Sequence, residues 1–130
     1  MNIIEYLKIP YKHLGRTKEG TDCFGLVQLF YNTEFSISLA DFENYAENWA
    51  TSGANLISKN YKAAGFKPIK FPKFGDLVTI REHKGVVSHL GVVTDNQYFL
   101  HTTRDGTCQH SYVAGHWANR VDQFLTYKGK

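Results

Sequence analysis

The stretch Gly20-Thr21-Asp22-Cys23-Phe24-Gly25-Leu26-Val27-Gln28-Leu29-Phe30-Tyr31 sets turn and cap residues first, then a thiol, then an apolar run. That order starts a helix, with Thr21 or Asp22 as the cap and Cys23 in the first turn. Unpaired backbone N–H groups and the positive end of the helix dipole then lie beside the sulfur. Both favour the thiolate, the form of cysteine that attacks carbonyls, so Cys23 reads as a nucleophile. Leu26, Val27, Phe30 and Tyr31 recur at helical spacing, and the helix is expected to fade around Asn32 to Glu34. Gly25 in the first turn costs stability relative to alanine. A helix accepts that cost where another backbone or a ligand must come close.

The flanks fit around this helix. Residues 2–9 predict a short helix with Ile3, Ile4 and Leu7 on one face, ended by Pro10. Arg16 to Thr21 reads as exposed loop. Asp41 to Trp49 and Ala54 to Ala64 are two further helical stretches, the second stopped by Gly65. Beyond Gly65 the period changes. Asp76 to Arg81, Val86 to Thr94 and Tyr98 to Thr103 are β-branched and aromatic runs that suit strands, with a turn at Asp95-Asn96. Cys108 to Val113 and Gln123 to Tyr127 predict two more. Helices first and sheet second give an α+β fold, with N-terminal helices packed on an antiparallel sheet of about five to six strands. With 130 residues and no repeat or linker, the chain reads as a single domain, 1–130. A chain of that size can bury a core without disulfide or metal staples.

A nucleophilic cysteine needs an imidazole to take its proton and a polar group to orient that imidazole. Six histidines are available. His89 lies in the apolar run Val87 to Val93, and His101 follows twelve residues later in Phe99-Leu100-His101-Thr102. A hairpin through Asp95-Asn96 would bring the two near opposite each other, with Cβ atoms roughly 4.5–5.5 Å apart. A lone histidine on an apolar strand reads first as a core residue. Two at hairpin spacing, downstream of a thiol at a helix start, read as a site. His13, His83, His110 and His116 sit in loop-like or ill-defined contexts and read as surface residues. Cysteine with two histidines is also an acceptable zinc set. No C-x-x-C or H-x-x-x-H spacing supports it, so neither metal nor cofactor is expected. Cys108 has no helix start around it and reads as a structural or incidental thiol.

A net charge of +3 spread over scattered lysines makes no concentrated patch for nucleic acid. No stretch approaches the apolar length of a membrane span. Met1-Asn2-Ile3-Ile4 lacks the charged start and apolar run of a signal peptide, which implies synthesis in the cytosol and export by other means.

At these residues the chain resembles the NlpC/P60 family of papain-like cysteine peptidases. The blocks that carry the resemblance are Pro10-Tyr11, Asp22-Cys23-x-Gly25-Leu26-Val27, Gly75-Asp76-Leu77-Val78, His89-x-Gly91-Val92 and His101. Together they span Tyr11 to Thr102. The resemblance implies Cys23 as nucleophile, His89 as general base and acid, and His101 as the orienting third member. Tyr11, Asp22 and Phe24 would lie on the substrate side, Tyr11 near the oxyanion, and Asp22 either on a substrate amine or as the helix cap. The implied substrate is a bacterial peptidoglycan peptide, cut between D-glutamate, through its side-chain carboxyl, and diaminopimelate or lysine. Many members have serine after the cysteine. Phe24 offers no hydroxyl there.

A narrower likeness is to members carried by tailed bacteriophages. It rests on Phe24, the stretch Asp41 to Trp49, which takes the place of a Tyr-rich region in those members, and Trp117 followed by a short strand to Tyr127. It implies a virion protein of the tail tip, with other tail-tip proteins as partners, acting on the host envelope during cell-wall penetration. Two alternatives stay open: a catalytically silent structural protein of the tail tip, and a thiol amidase or acyl transferase on the same fold.

Overall fold

The computed structural model describes residues 1–40, 57, 60–83, 86–95 and 97–128. The predicted helix over Asp41 to Trp49, and residues 54–56, 58 and 59 of the one over Ala54 to Ala64, lie outside the described residues. The end of the latter is visible. Tyr61 and Ala64 donate their N–H groups to Ile57 and Asn60, and Gly65 stops the run at φ +98°. That is the left-handed conformation in which glycine pays no Cβ penalty.

The two described α-helices are α1, Ile3–Leu7, and α2, Cys23–Phe35. Between them Arg16–Thr17 (β1) and Gly20–Thr21 (β2) pair as a small antiparallel ribbon. The main sheet contains β3 (Phe66–Ile69), β4 (Leu77–His83), β5 (Val86–Val93), β6 (Tyr98–Thr103), β7 (Gly106–Ser111) and β8 (Val121–Tyr127). Its order is β3-β8-β4-β5-β6-β7, with every pair antiparallel. The architecture is therefore α+β, as the order of the sequence periods implies.

Helix α2 packs on β5 and β6. Leu26, Val27 and Phe30 are wholly buried there, and Tyr31 nearly so. They join Phe66, Leu77, Val87, Leu90, Val92, Leu100 and Leu125 in the main core. A smaller cluster of Val78, Ile80 and Phe99, with Trp117, Val121 and Phe124 against it, comes from the alternate strand positions. The Gly75-Asp76 block ties helix to sheet. Tyr31 donates its hydroxyl to the Gly75 carbonyl, and Asp76, 3% exposed, accepts from Thr126 Oγ1 at 2.7 Å.

Two expectations need correcting. In α1 the buried residue is Tyr6, whose hydroxyl donates to Glu34, while Ile4 and Leu7 are exposed. Of the expected aliphatic face Ile3 alone packs against the core, beside the buried Tyr6 ring that anchors this five-residue helix. The stretch Arg16 to Thr21 is also no exposed loop at its end. Gly20 and Thr21 are buried, because the ribbon folds back over the first turn of α2.

Candidate active site

The helix cap is Asp22. Its Oδ1 accepts from Gly25 N–H at 2.8 Å and from Arg16 at 2.9 Å, and its Oδ2 accepts from Leu14 N–H at 3.0 Å. Of the two roles left open for Asp22, this geometry supports the cap: its carboxylate is committed to the fold. A Cβ on Gly25 would sit 2.0 Å from the Gly15 carbonyl oxygen, so the glycine is there to admit a second backbone. The ribbon's hydroxyls continue across the molecule. Thr21 Oγ1 lies 3.2 Å from Thr102 Oγ1, which lies 3.0 Å from Thr107 Oγ1. The approach to Cys23 is thereby tied to the strand that carries His101.

Cys23 is half-buried at the start of α2, and the backbone N–H groups of Phe24 and Leu90 are aimed at its sulfur. Both favour the thiolate, as expected of a helix N-terminus. They are outweighed by burial first and the Asp22 charge second, so the thiol is pushed up to about 12. The Cys23 thiol therefore rests neutral, contrary to the expectation from the helix dipole alone. Asp22→Asn keeps an oxygen for the cap and removes that charge. The variant should alkylate at Cys23 about fivefold faster with iodoacetamide at pH 8. It should lose about 1 kcal/mol of unfolding free energy in urea, because the Arg16 pair is lost.

Leu90 is the link to the first imidazole, because His89 precedes it on β5. His89 pairs with Ile80 across β4 and is 5% exposed. Its Nε2 lies 2.6 Å from His101 Nδ1. The two residues sit one diagonal step from direct pairing. The register Val92↔Leu100 places His101 across from Gly91 and diagonal to His89, still on the same face. Among the described residues no hydrogen bond joins the Cys23 thiol to either imidazole.

The chain of imidazoles continues. His101 Nε2 lies 2.8 Å from His110 Nδ1 on β7, and Cys108 Sγ lies 3.5 Å from the same His101 nitrogen. Trp117 covers the group, with ring centroids 5.5 Å from His89, 4.6 Å from His101 and 5.7 Å from His110. His110 and Trp117 are the residues that reading the sequence missed. The signal existed. Asp105-Gly106 marks a second hairpin turn, and counting from it pairs His101 with Cys108 and leaves His110 on the same face.

Burial lowers the pKa of both central imidazoles. His89 is pushed down by desolvation, and His101 falls to about 2 through desolvation and then through His89 and His110. The unfolded chain takes up these protons below pH 6.5, whereas the fold does not. Stability is therefore intact above about pH 6.5 and drains as pH falls below it. His101 alone contributes about 1.4 kcal/mol per pH unit. Urea unfolding at pH 7, 6 and 5, in EDTA, should show that slope, and His101→Asn should reduce it.

Tyr11 forms a bridge to Thr21, two residues before the thiol, with the Arg104 guanidinium 5.2 Å above its ring. Phe24 faces inward and is only 4% exposed. It packs beside Ile57, Tyr61, Phe66 and Leu90, so it belongs to the core rather than to a substrate surface. Of the candidate residues, the fold thus brings His89 and His101 into contact. It seats Cys23 against the residue next to His89, and it places Tyr11 by the strand that leads to Cys23.

Comparison with known proteins adds to this geometry. The family model described as "NlpC/P60 family" matches residues 8–126. The chain is 28% identical over 111 residues to the probable peptidoglycan endopeptidase LytE of Bacillus subtilis, covering 85% of this chain and 28% of that protein. It is 26% identical over 109 residues to the tail tip assembly protein K of Escherichia phage N15, covering 82% of this chain and 45% of that one. It therefore spans less than half the length of either relative. Among solved structures, the NlpC/p60 domain of the peptidoglycan hydrolase SagA superposes with TM-score 0.63 at 16% identity, covering 95% and 94% of the two chains. A Staphylococcus aureus protein described as similar to lipoprotein, NLP/P60 family, gives TM-score 0.70 at 19% identity, covering 98% of this chain and 39% of that one.

Proposed function

The chain belongs to the NlpC/P60 family, and from that premise we propose that it is a thiol endopeptidase acting on the stem peptides of bacterial peptidoglycan. The bond cut is that between the side-chain carboxyl of D-glutamate and diaminopimelate or lysine. The setting is a phage tail tip opening the host wall. The observation that carries this reading is the 2.6 Å contact between His89 Nε2 and His101 Nδ1, one residue from the backbone N–H aimed at Cys23.

His89 spends Nε2 on His101, which leaves Nδ1 to act as base. When the substrate carbonyl meets the thiol, His89 Nδ1 takes the proton and the sulfur bonds to the carbonyl carbon. The Cys23 backbone N–H at the start of α2 faces the developing oxyanion. The imidazolium then returns its proton to the leaving amine, and water releases the acyl group by the same steps reversed. His101 holds His89 with Nε2–H donated outward, and His110 accepts in turn from His101. A neutral thiol suits this route, in which the proton moves as substrate binds rather than beforehand.

Digestion of purified sacculi followed by mass analysis tests the reading. A new amine on diaminopimelate or lysine, paired with a free D-glutamyl γ-carboxyl, is expected. Products cleaved at the muramoyl–alanine bond would mean an amidase instead. One observation favours a second reading, a silent structural member of the tail tip: the thiol does not hydrogen-bond to His89 in the resting site. Phage particles carrying Cys23→Ala separate the two. Normal assembly with poor penetration supports the enzyme, whereas unimpaired infection supports the scaffold.

A further inference from the structure

We propose that His101 Nε2, Cys108 Sγ and His110 Nδ1 form a binding site for a soft divalent cation, best matched by zinc, whose occupancy switches the peptidase off. The switching half rests on the function proposed above. The binding half stands on geometry alone.

The three ligand atoms lie within 4.8 Å of one another. Tetrahedral zinc with Zn–N and Zn–S bonds of about 2.1 and 2.3 Å places two nitrogens about 3.4 Å apart and a nitrogen and sulfur about 3.6 Å apart. Cys108 Sγ already lies 3.5 Å from His101 Nε2 and 3.7 Å from His110 Nδ1. Only the nitrogen pair, now 2.8 Å apart, must open, by about 0.6 Å. His110 is exposed and can turn to allow it, while His101 is wholly buried and fixed. One sulfur and two imidazoles select zinc over harder cations, and the exposed side leaves the fourth position to water. The site also has its supporting partner. A metal-bound histidine gives its other ring N–H to a neighbouring acceptor, and His101 Nδ1 already faces His89 Nε2 at 2.6 Å.

That contact couples the site to catalysis. In the active arrangement the protons run outward: His89 Nε2–H to His101 Nδ1, and His101 Nε2–H to His110 Nδ1. Zinc on His101 Nε2 needs that nitrogen bare, so the His101 proton moves to Nδ1 and is donated to His89 Nε2. His89 then carries its own proton on Nδ1, the atom that must accept from Cys23, and cannot act as base. The imidazole protons are redistributed through solvent. The net release is one proton, from the Cys108 thiol as it becomes a ligand.

Cobalt(II) titration of the full chain reads the site without any turnover. Expected is one equivalent bound, with near-ultraviolet thiolate-to-cobalt absorption that persists in Cys23→Ala and disappears in Cys108→Ala. No binding, or absorption lost in Cys23→Ala and kept in Cys108→Ala, overturns the site. Zinc at ten times its dissociation constant should then lower wild-type hydrolysis about tenfold and leave Cys108→Ala unaffected. Equal inhibition of both proteins, or none in the wild type despite bound metal, overturns the switch. Should the wild type hydrolyse nothing, the proposed function fails, while the cobalt spectra still decide the site.

Discussion

Cys23→Ala is expected to lower stem-peptide hydrolysis by about 10⁴-fold, with the midpoint of urea unfolding almost unchanged. The size of the loss follows from the chemistry. Without sulfur no acyl intermediate forms, and His89 has no thiol proton to take. The small effect on folding follows from the site. Cys23 is half-buried, and the cap that starts the helix belongs to Asp22. Cys23→Ser should be nearly as inactive, because a hydroxyl shielded from solvent is harder still to deprotonate than the thiol at about 12. Steady-state release of muropeptide products measures both. Activity in Cys23→Ala within tenfold of wild type would remove this residue from the mechanism.

Gly91→Ala should be the most damaging single methyl in the sheet, costing about 3 kcal/mol of unfolding free energy. A Cβ there would stand 2.6 Å from the Leu100 carbonyl oxygen, 2.7 Å from the Phe99 ring and 3.0 Å from His101 Cβ. The first is backbone and cannot swing aside, so β5 and β6 must separate. The histidines feel it directly, since the 2.6 Å contact between His89 and His101 spans the same two strands. The substitution should thus lower kcat even at temperatures where the variant remains folded. Chemical denaturation together with kinetics on the folded variant checks both halves. Gly91 is in this sense part of the site without carrying any chemistry.

The parts of the molecule legible from sequence were those set by local rules. The start of α2 at Cys23 follows from a cap residue before an apolar period, and β6 over Tyr98–Thr103 follows from its β-branched and aromatic run. The close approach at Gly25 was legible too, because a glycine in a first turn asks for a reason. The features that escaped depend on partners far along the chain. β3 contains Pro68 and only four residues, and it is a strand because β8 lies beside it. The ribbon of β1 and β2 is held by Asp22 and the first turn of α2 rather than by its own composition. The thiol's protonation was misjudged because a dipole can be read from sequence whereas burial cannot. His110 reads as a surface residue in sequence, although pairing with β6 sets it opposite Phe99 and diagonal to His101, on the same face.

The place of β7 in the sheet has a last consequence. β5, which carries His89, has neighbours on both sides, whereas β7 ends the row of described strands beside β6, with Thr107 N–H reaching the Ile9 carbonyl beyond it. His89 is therefore fixed in the interior of the weave, while Cys108 and His110 ride on its selvedge. Small displacements of that border cost few bonds, so the outer end of the histidine chain can yield while the inner end keeps its aim.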